Sequence, residues 1–380
     1  MMKWLTLGAM TMLLSSTSAW ALEPGDDVNI DCPLDDCDAP LSLTYLGETS
    51  LPWDYQHDGI PFGGISGLDY DSSTGHYFAI SDDRAQHAPV RVYELALHVS
   101  DEGIEEVSII RTIALKDSNG QPFAKMSVDP ESIRVGADGN LYWTSEGSRR
   151  DGQPTLVRVS DRDGNLIRVF EQPDGFAPTK DKSSGIRENQ ALEGFTFLPS
   201  GNAIAGMETA LYQDDLSASL HRDSRARFIR YDTESGEPTQ QYVYPVSAIP
   251  WAPVDKNSKH KSDNGVSEIL ALDEHRLLVI ERSGTTGFGF TVKVFIADTD
   301  GATDVSDIFS LRNDGDDVVP MRKQVVLDFR ALGLTPDNLE CVSFGKDDDG
   351  NEILIFASDD NFKSDQKTQF YTFRIDQRPR

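Results

Sequence analysis

The sequence predicts an all-β fold, a single β-propeller of about five four-stranded blades, from three observations. A unit of two apolar strands joined by a Gly- or Asp-rich turn recurs five times along the 380 residues. Each copy is followed by further strand-like runs, and four strands per repeat is the number in a propeller blade. No long stretch with the 3.6-residue period of a helix lies between the strands.

The five copies are spaced by about 62 to 75 residues, and they begin at Gly64, Glu131, Glu193, Glu268 and Glu340. The chain ends one strand short of a complete fifth blade, while an unassigned apolar run, residues 41–46, precedes the first copy. We expect this N-terminal strand to close the ring, because closure removes an exposed sheet edge. Pro- and Ser-containing insertions at 172–189 and 251–264 predict loops over one face, and the longer connections leave a sixth blade open.

The N-terminus has the three parts of a secretory signal peptide. Lys3 precedes a short apolar stretch, and the sequence Ala19-Trp20-Ala21 gives an A-x-A cleavage site. The stretch is shorter than the roughly 20 residues that a membrane-spanning helix needs, so no membrane span is expected. The predicted organisation is a signal peptide at 1–21, an exported leader at 22–40 and the propeller domain at 41–380. The protein is therefore expected in the periplasm or outside the cell.

Three cysteines are present, and two of them lie close together in the leader. Cys32 and Cys37 are expected to form a disulfide, since an exported protein meets an oxidising compartment. Cys341 lies in an apolar strand-like segment, which favours a small core residue over a nucleophile.

The chain is strongly acidic, with 63 Asp and Glu against 35 Lys and Arg and a formal net charge of −28. Such a surface repels the phosphates of nucleic acids, so nucleic-acid binding is not expected. It is compatible with the binding of metal cations.

Acidic residues recur at the start of the first strand and the end of the second strand in each copy. Both positions lie at the same rim of a propeller, so the sequence predicts a carboxylate-lined channel mouth. Two unit charges about 4 Å apart repel by roughly 4 kcal/mol at an effective dielectric of 20, so bound cations or protons must offset them. Ca²⁺ is the expected ion, with Mg²⁺ as the alternative. The expected metal ligands are Asp82, Asp83, Glu131, Glu146, Glu208, Glu340 and Asp359, and the expected catalytic acids are Glu193, Glu268 and Glu281.

Two other interpretations of these charges stay open. Each repeated carboxylate also suits a structural bond to backbone N–H groups of the neighbouring blade. The interspersed arginines Arg84, Arg149 and Arg282 are expected to hold an anionic substrate, or else to pair with the acids.

Several further patterns do not indicate a catalytic or metal site. The Asp- and Gly-rich segments at 161–165, 313–317 and 347–351 lack the full EF-hand spacing and predict hairpin turns. The sequence GGISG at 63–67 precedes a strand and is not a serine nucleophile elbow. The seven histidines form no cluster with metal-ligand spacing, and His57, His76 and His87 are expected on the surface or in loops.

An ordered set of short motifs resembles the phytase-like family, which is described as having esterase-like activity of phytase. The motifs are GGISGLD at 63–69, SDDR at 81–84, DPESI at 129–133, SEG at 145–147, LEGF at 192–195, ER at 281–282 and NLECVS at 338–343. The resemblance spans roughly residues 63–375. It implies an exported propeller-like protein that hydrolyses phosphoric or other esters.

The leading expectation is a monomeric, metal-dependent hydrolase of a small anionic or ester substrate, acting at the channel mouth. The alternative is a non-catalytic propeller that binds a ligand or partner through calcium. Propellers serve many unrelated functions, so the fold does not decide between the two.

Overall fold

The computed structural model describes residues 21–31, 33–35, 40–255 and 262–378, and it is almost entirely β. Within this part of the chain, five antiparallel sheets of at least four strands form the five blades of a propeller. The predicted signal peptide, except for its last residue, and both Cys32 and Cys37 fall outside the described residues. The cleavage site and the disulfide therefore stay predictions.

The strands follow one another around the ring in chain order. Blade 1 comprises β5 (Ile65–Asp71), β6 (His76–Ser81), β7 (Arg91–Ser100) and β8 (Gly103–Ala114). Blade 2 comprises β9 (Pro130–Val135), β10 (Leu141–Ser145), β11 (Leu156–Ser160) and β12 (Leu166–Val169). Blade 3 comprises β13 (Leu192–Phe197), β14 (Ala203–Met207), β15 (Ser224–Tyr231) and β16 (Pro238–Val246). Blade 4 comprises β17 (Gly265–Ala271), β18 (Arg276–Thr285), β19 (Gly289–Asp298) and β20 (Arg322–Asp328).

The last blade joins the two ends of the domain. Its strands β21 (Asn338–Lys346), β22 (Glu352–Asp359) and β23 (Thr368–Gln377) are completed by β2 (Leu41–Leu51), with β1 (Asp27–Ile30) on the outer edge. Strand β2 pairs antiparallel with β23 along its whole length. The predicted closure by the N-terminal strand and the count of five blades are confirmed.

The other elements are small. A two-stranded hairpin, β3 (Gln56–His57) with β4 (Ile60–Pro61), follows the closing strand, and the helices are a 3₁₀ turn at Pro33–Asp35 and α1 (Leu311–Asp314). No helix in the described ranges is long and apolar enough to cross a bilayer.

Apolar side chains fill the spaces between neighbouring blades. One cluster packs blades 2, 3 and 4 together, a second lies between blades 4 and 5, and two more flank blade 1. Trp143 is wholly buried between blades 1 and 2. Each sheet therefore packs on both faces, which explains why the strands carry nearly continuous apolar runs.

A buried arginine on β9 ties the innermost strands together at the axis. Arg134 Nη1 donates to the carbonyl oxygens of Leu68 and Ile133 at 2.9 and 2.8 Å. Its Nη2 donates to those of Ile269 and Val342 at 2.8 and 3.3 Å. The acceptors belong to the innermost strands of blades 1, 2, 4 and 5, so one guanidinium links four of the five blades.

Glu268 on β17 balances the charge of Arg134. Its Oε2 lies 3.1 Å from Arg134 Nη2, and its carboxylate accepts bonds from Ser132 Oγ and the Phe195 backbone N–H. Burial raises the pKa of Glu268 to about 7, although Arg134 and these donors act to lower it. The pair is an enclosed charge site whose members depend on each other.

Replacement of Arg134 by Met is expected to reduce the free energy of unfolding by about 3–5 kcal/mol, because it leaves Glu268 buried without its partner. Urea denaturation of the purified variant measures the loss. Arg150→Met is the matched control, since Arg150 is an exposed ion-pair residue. The double variant Arg134→Met, Glu268→Gln should regain part of the loss. Equal stability of wild type and Arg134→Met would contradict the role of the pair.

Candidate functional site: the carboxylate-lined channel mouth

Each innermost strand carries a β-bulge at the same end. The register of the inner pair shifts by one residue at this point in all five blades. A bulge adds one unpaired residue and re-aims its side chain. We call the residues at this position the bulge ring: Ser66, Glu131, Glu193, Ser267 and Glu340.

Two more rings follow from the same pairing. Residues at the end of the second strand of each blade form the strand-end ring: Asp82, Glu146, Glu208, Arg282 and Asp359. They lie opposite the entry ring, whose residues precede the bulge on the innermost strand: Gly64, Asp129, Ala191, Gly265 and Asn338. Backbone bonds or strand pairing join the two rings within each blade. One face of the propeller therefore collects three residues from every blade.

The rings surround a cavity of about 460 Å³ at the channel mouth. Two arginines, Arg84 and Arg282, also line it. The acidic residues that line it are Asp82, Asp83, Asp129, Glu131, Glu193, Glu208, Glu340 and Asp359. Glu146 lies against this wall, because it offers an oxygen within 4.8 Å of oxygens of Glu193 and Glu208. The structure thus brings most of the sequence-predicted acids to one opening.

Three of the sequence-predicted site residues lie elsewhere. Glu268 is one residue past the bulge, so it faces the axis below the mouth beside Arg134. Glu281 is one residue before the strand-end ring, and it bonds Lys323, Tyr244 Oη and Asn264 Nδ2. A shift of one residue turns a strand side chain to the opposite face. Arg149, in the loop after β10, is not among the residues that line the cavity.

Asp83 reaches the cavity, but its carboxylate is engaged by the protein. Arg91 Nη1 lies 2.6 Å from it, and the backbone N–H groups of Gln86 and Ala88 donate to it at 2.7 and 2.9 Å. Burial acts to raise the pKa of Asp83, yet these bonds outweigh it and hold the pKa below its usual range. The carboxylate therefore anchors a loop and has its oxygens occupied by protein donors.

Asp129 and Asn338, in the entry ring, were not among the candidate residues from the sequence. Asp129 lies 3.0 Å from Arg84 Nη1, and burial raises its pKa to about 6 while Arg84 lowers it. Both residues stand two positions before an acid of the bulge ring. Alignment of the three copies that carry this acid would have drawn attention to the residue two positions before it.

The first two glycines of the GGISGLD motif make room for the mouth. Gly64 has φ +62°, and a Cβ there would lie 2.3 Å from Asp82 Oδ1 and 2.6 Å from Phe362 Cε2. A Cβ on Gly63 would lie 2.6 Å from Asp360 Oδ1, and that oxygen accepts a bond from the Gly64 N–H. Any larger residue would displace these side chains, which accounts for the paired glycines.

The mouth carries far more negative than positive charge. Burial raises the pKa values of Asp82, Glu131, Glu146, Glu193 and Asp359 well above their usual range, and repulsion between neighbouring carboxylates adds to it. Burial also raises the pKa of Glu208 to about 8, although Arg282 acts to lower it. Without cations, part of this cluster is protonated at neutral pH.

Two overlapping groups of carboxylates fit a hard divalent cation. Asp129, Glu131 and Glu146 offer one oxygen each within 4.8 Å of one another, and Glu146, Glu193 and Glu208 do the same. Oxygens that share a Ca²⁺ ion at about 2.3–2.6 Å can be up to roughly 5 Å apart, so both groups have a suitable size. Glu146 belongs to both.

Asn338 adds an independent indication of a ligand. Its Nδ2 donates to Glu340 Oε1 and Asp359 Oδ2 at 2.9 and 3.1 Å, which fixes the orientation of the amide. Its Oδ1 is buried and has no hydrogen-bond partner among the described residues. A buried carbonyl oxygen without a donor is costly, and a cation would satisfy it.

The arginines of the mouth retain free donors. Arg84 uses Nη1 for Asp129, while its Nε and Nη2 are buried and have no partner in the described part of the chain. Arg282 lies 3.2 Å from Glu340 through Nη2, and its Nε is likewise unpartnered there. The Nε–Nη2 edge of Arg84 is the edge that binds two oxygens of a phosphate or carboxylate.

Comparisons with known proteins identify a family and several solved structures of similar fold. The family model described as "Phytase-like: Esterase-like activity of phytase" matches residues 60–362. Among curated proteins, no sequence matches this chain. Solved structures with similar folds include an endo-arabinase from Bacteroides thetaiotaomicron, at 14% identity and TM-score 0.46 over 87% of this chain and 97% of that one. A periplasmic gluconolactonase from Pseudomonas aeruginosa has 12% identity and TM-score 0.33 over 90% of this chain and 94% of the other.

In the presence of EGTA, we expect the melting temperature to fall as the pH rises from 5 to 8. Asp129 and Glu208 have folded-state pKa values of about 6 and about 8, above those of the unfolded chain. A carboxyl whose pKa is higher in the folded protein than in the unfolded chain makes its full contribution to stability below its pKa in the unfolded chain. That contribution is lost as the pH rises through its pKa in the folded protein. Calorimetry at several pH values measures the effect.

Millimolar Ca²⁺ should prevent the melting temperature from falling between pH 5 and 8, because cation binding favours the ionised carboxylates. Glu208→Gln should flatten the EGTA curve between pH 6 and 8, whereas Glu102→Gln, at an exposed position, should leave it unchanged. A melting temperature that rises across this pH range in EGTA would contradict the assignment.

Proposed function

The chain belongs to the phytase-like family, and from this premise we propose that it is a cation-dependent hydrolase of phosphoric esters acting at the channel mouth. The signal-peptide pattern at residues 1–21 supports action outside the cytoplasm. The substrate is a small anionic ester, because the cavity of about 460 Å³ accommodates a phosphate group together with a leaving group of modest size.

The observation that carries the proposal is the free edge of Arg84 beside the carboxylate cluster. Its unpartnered Nε and Nη2 suit two oxygens of one phosphate. The same guanidinium bonds Asp129, which belongs to one of the two cation-sized groups. A site that must hold an oxyanion next to divalent cations needs this combination.

Asp129, Glu131, Glu146 and Glu208 would hold the cations, and Ca²⁺ is the ion we propose, with Mg²⁺ as the alternative. When bound, a divalent cation offsets the carboxylate charges, polarises the phosphoryl oxygens and lowers the pKa of water. Asn338 Oδ1 is a further candidate ligand on the blade 5 side.

Glu193 is the residue that we propose as the general base. It lines the cavity, is 7% exposed, and its carboxylate has no hydrogen bond within the described residues. An unengaged carboxylate at the wall can accept a proton from an attacking water. Arg84 and Arg282 would orient the phosphate and stabilise the charge that develops on its oxygens. Glu268 and Glu281 have structural roles in this proposal, since other side chains engage both.

A second candidate function is cation-dependent binding without turnover. The excess of carboxylates over arginines at the mouth favours it, because cations alone can bridge such a surface to an anionic ligand. Turnover separates the two candidates.

We expect the protein to release phosphate from p-nitrophenyl phosphate with Ca²⁺ or Mg²⁺ and to stop in EGTA. Glu193→Gln should lower kcat by about 10²–10⁴-fold if the residue is the base. Arg84→Lys should lower kcat/KM by about 10–100-fold, because the loss of one charge-assisted hydrogen bond costs about 1.5–3 kcal/mol.

Arg150→Lys is the control, since Arg150 is exposed and outside the cavity. Absence of phosphate release with every divalent cation and ester tested would reject the hydrolase. Calcium binding by calorimetry in that case would favour the second candidate.

A further inference from the structure

We propose that His87 is the proton donor to the leaving-group oxygen of the ester. The inference rests on the proposed hydrolase function and adds a residue that the sequence patterns did not single out. His87 is the histidine that lines the mouth cavity, whereas its sequence context predicts only a surface loop.

The loop that carries His87 is wound around a buried ion pair. The backbone N–H of His87 donates to both oxygens of Asp83 at 3.1 and 3.2 Å, and the N–H groups of Gln86 and Ala88 donate to the same carboxylate. Asp83 and Arg91 are both at most 2% exposed and lie 2.6 Å apart. The backbone position of His87 is therefore fixed although the side chain is exposed.

A second contact fixes the imidazole ring itself. It stacks on Phe362 with 4.4 Å between ring centroids and 24° between planes. Asn361 and Phe362 both have left-handed backbone conformations, with φ of +48° and +52°, which are uncommon for such residues. The Phe362 N–H is held by Asp360 Oδ1 at 3.0 Å. Backbone strain of this kind is kept where it positions a functional group.

The ring nitrogens of His87 remain available to a ligand. In the described part of the chain these exposed nitrogens have no hydrogen bond or ion pair, although the residue lines the cavity. Other histidines are engaged: His76 Nδ1 lies 2.7 Å from Glu94, and His98 lies 3.7 Å from Asp348. A fixed imidazole with free nitrogens at a cavity wall is arranged for a bound molecule.

The reaction needs a donor that the carboxylates do not supply. Once cations are bound, the mouth acids are ionised and act as acceptors. Histidine has the side chain whose ordinary pKa lies closest to neutrality, which suits proton transfer in both directions. The charged groups around the imidazole are Asp83 and Arg91 beneath its loop, Arg84 on the loop, and Asp360 and Lys363 on the segment that carries Phe362.

The oxygen of water forms the new bond to phosphorus and gives its proton to Glu193. The ester P–O bond breaks, its electron pair goes to the leaving oxygen, and that oxygen takes the proton of the His87 imidazolium. The products are an alcohol and inorganic phosphate, and solvent returns the proton to His87 and removes the one on Glu193.

The test compares an ester that needs a proton donor with one that does not. For β-glycerophosphate, His87→Gln should lower kcat by about 10²–10⁴-fold, because an alkoxide is a poor leaving group. For p-nitrophenyl phosphate, whose leaving group is stable as an anion, the loss should stay below about 10-fold. With β-glycerophosphate, kcat of the wild type is expected to fall at alkaline pH, and this fall should be absent in the variant.

Two further variants test whether the stack on Phe362 positions His87 and whether the effect is specific to this histidine. Phe362→Leu removes the stack but keeps the bulk, so it should lower kcat for β-glycerophosphate only and by a smaller factor. His221→Gln is the control, since His221 is exposed and outside the cavity. Equal losses of kcat on both esters, or no loss, would overturn proton donation by His87. Absence of turnover by the wild type on both esters would instead reject the hydrolase function itself.

Discussion

The arrangement of the mouth depends on the hydrogen bonds and the ion pair that the guanidinium of Arg134 makes. The guanidinium occupies the propeller axis and binds carbonyl oxygens of four innermost strands, while Glu268 balances its charge. Propeller blades touch only their neighbours, so a group that contacts four of them fixes their relative positions. The bulge ring lies one layer above this contact, and its acids therefore converge at a set spacing.

The repulsion between so many converging carboxylates opposes folding unless bound protons or cations compensate for it. Burial and mutual repulsion raise their pKa values, and protons or cations must supply the balance. Ser66 and Ser267 occupy the equivalent bulge position in two blades, so the bulge itself does not require an acid. The fold therefore does not demand the acids at the other three bulges, although their burial and repulsion cost stability.

The architecture was predictable because it depends on patterns within the chain. Apolar strands, polar turns and a spare N-terminal strand predicted five blades closed by β2, and the pairing of β2 with β23 confirms it. The site residues were harder to predict, because a bulge shifts the register by one residue and a single sequence does not show where the bulge lies. In blade 4 the sequence has Ser267 next to Glu268 and Glu281 next to Arg282, and only the pairing shows which member of each pair reaches the mouth.

Blade 4 also shows how a repeated fold acquires an asymmetric site. Its three ring residues are Gly265, Ser267 and Arg282, so it contributes a cation and no acid. A Cβ on Gly265 would lie 2.4 Å from Glu208 Cγ, so this glycine gives a blade 3 carboxylate its place. The cation-sized groups consequently lie on blades 2 and 3, with Arg282 on one flank and Arg84 on the other. Five equal blades would make a ring of like charges, whereas Arg282 of blade 4 places a cationic side chain among the carboxylates.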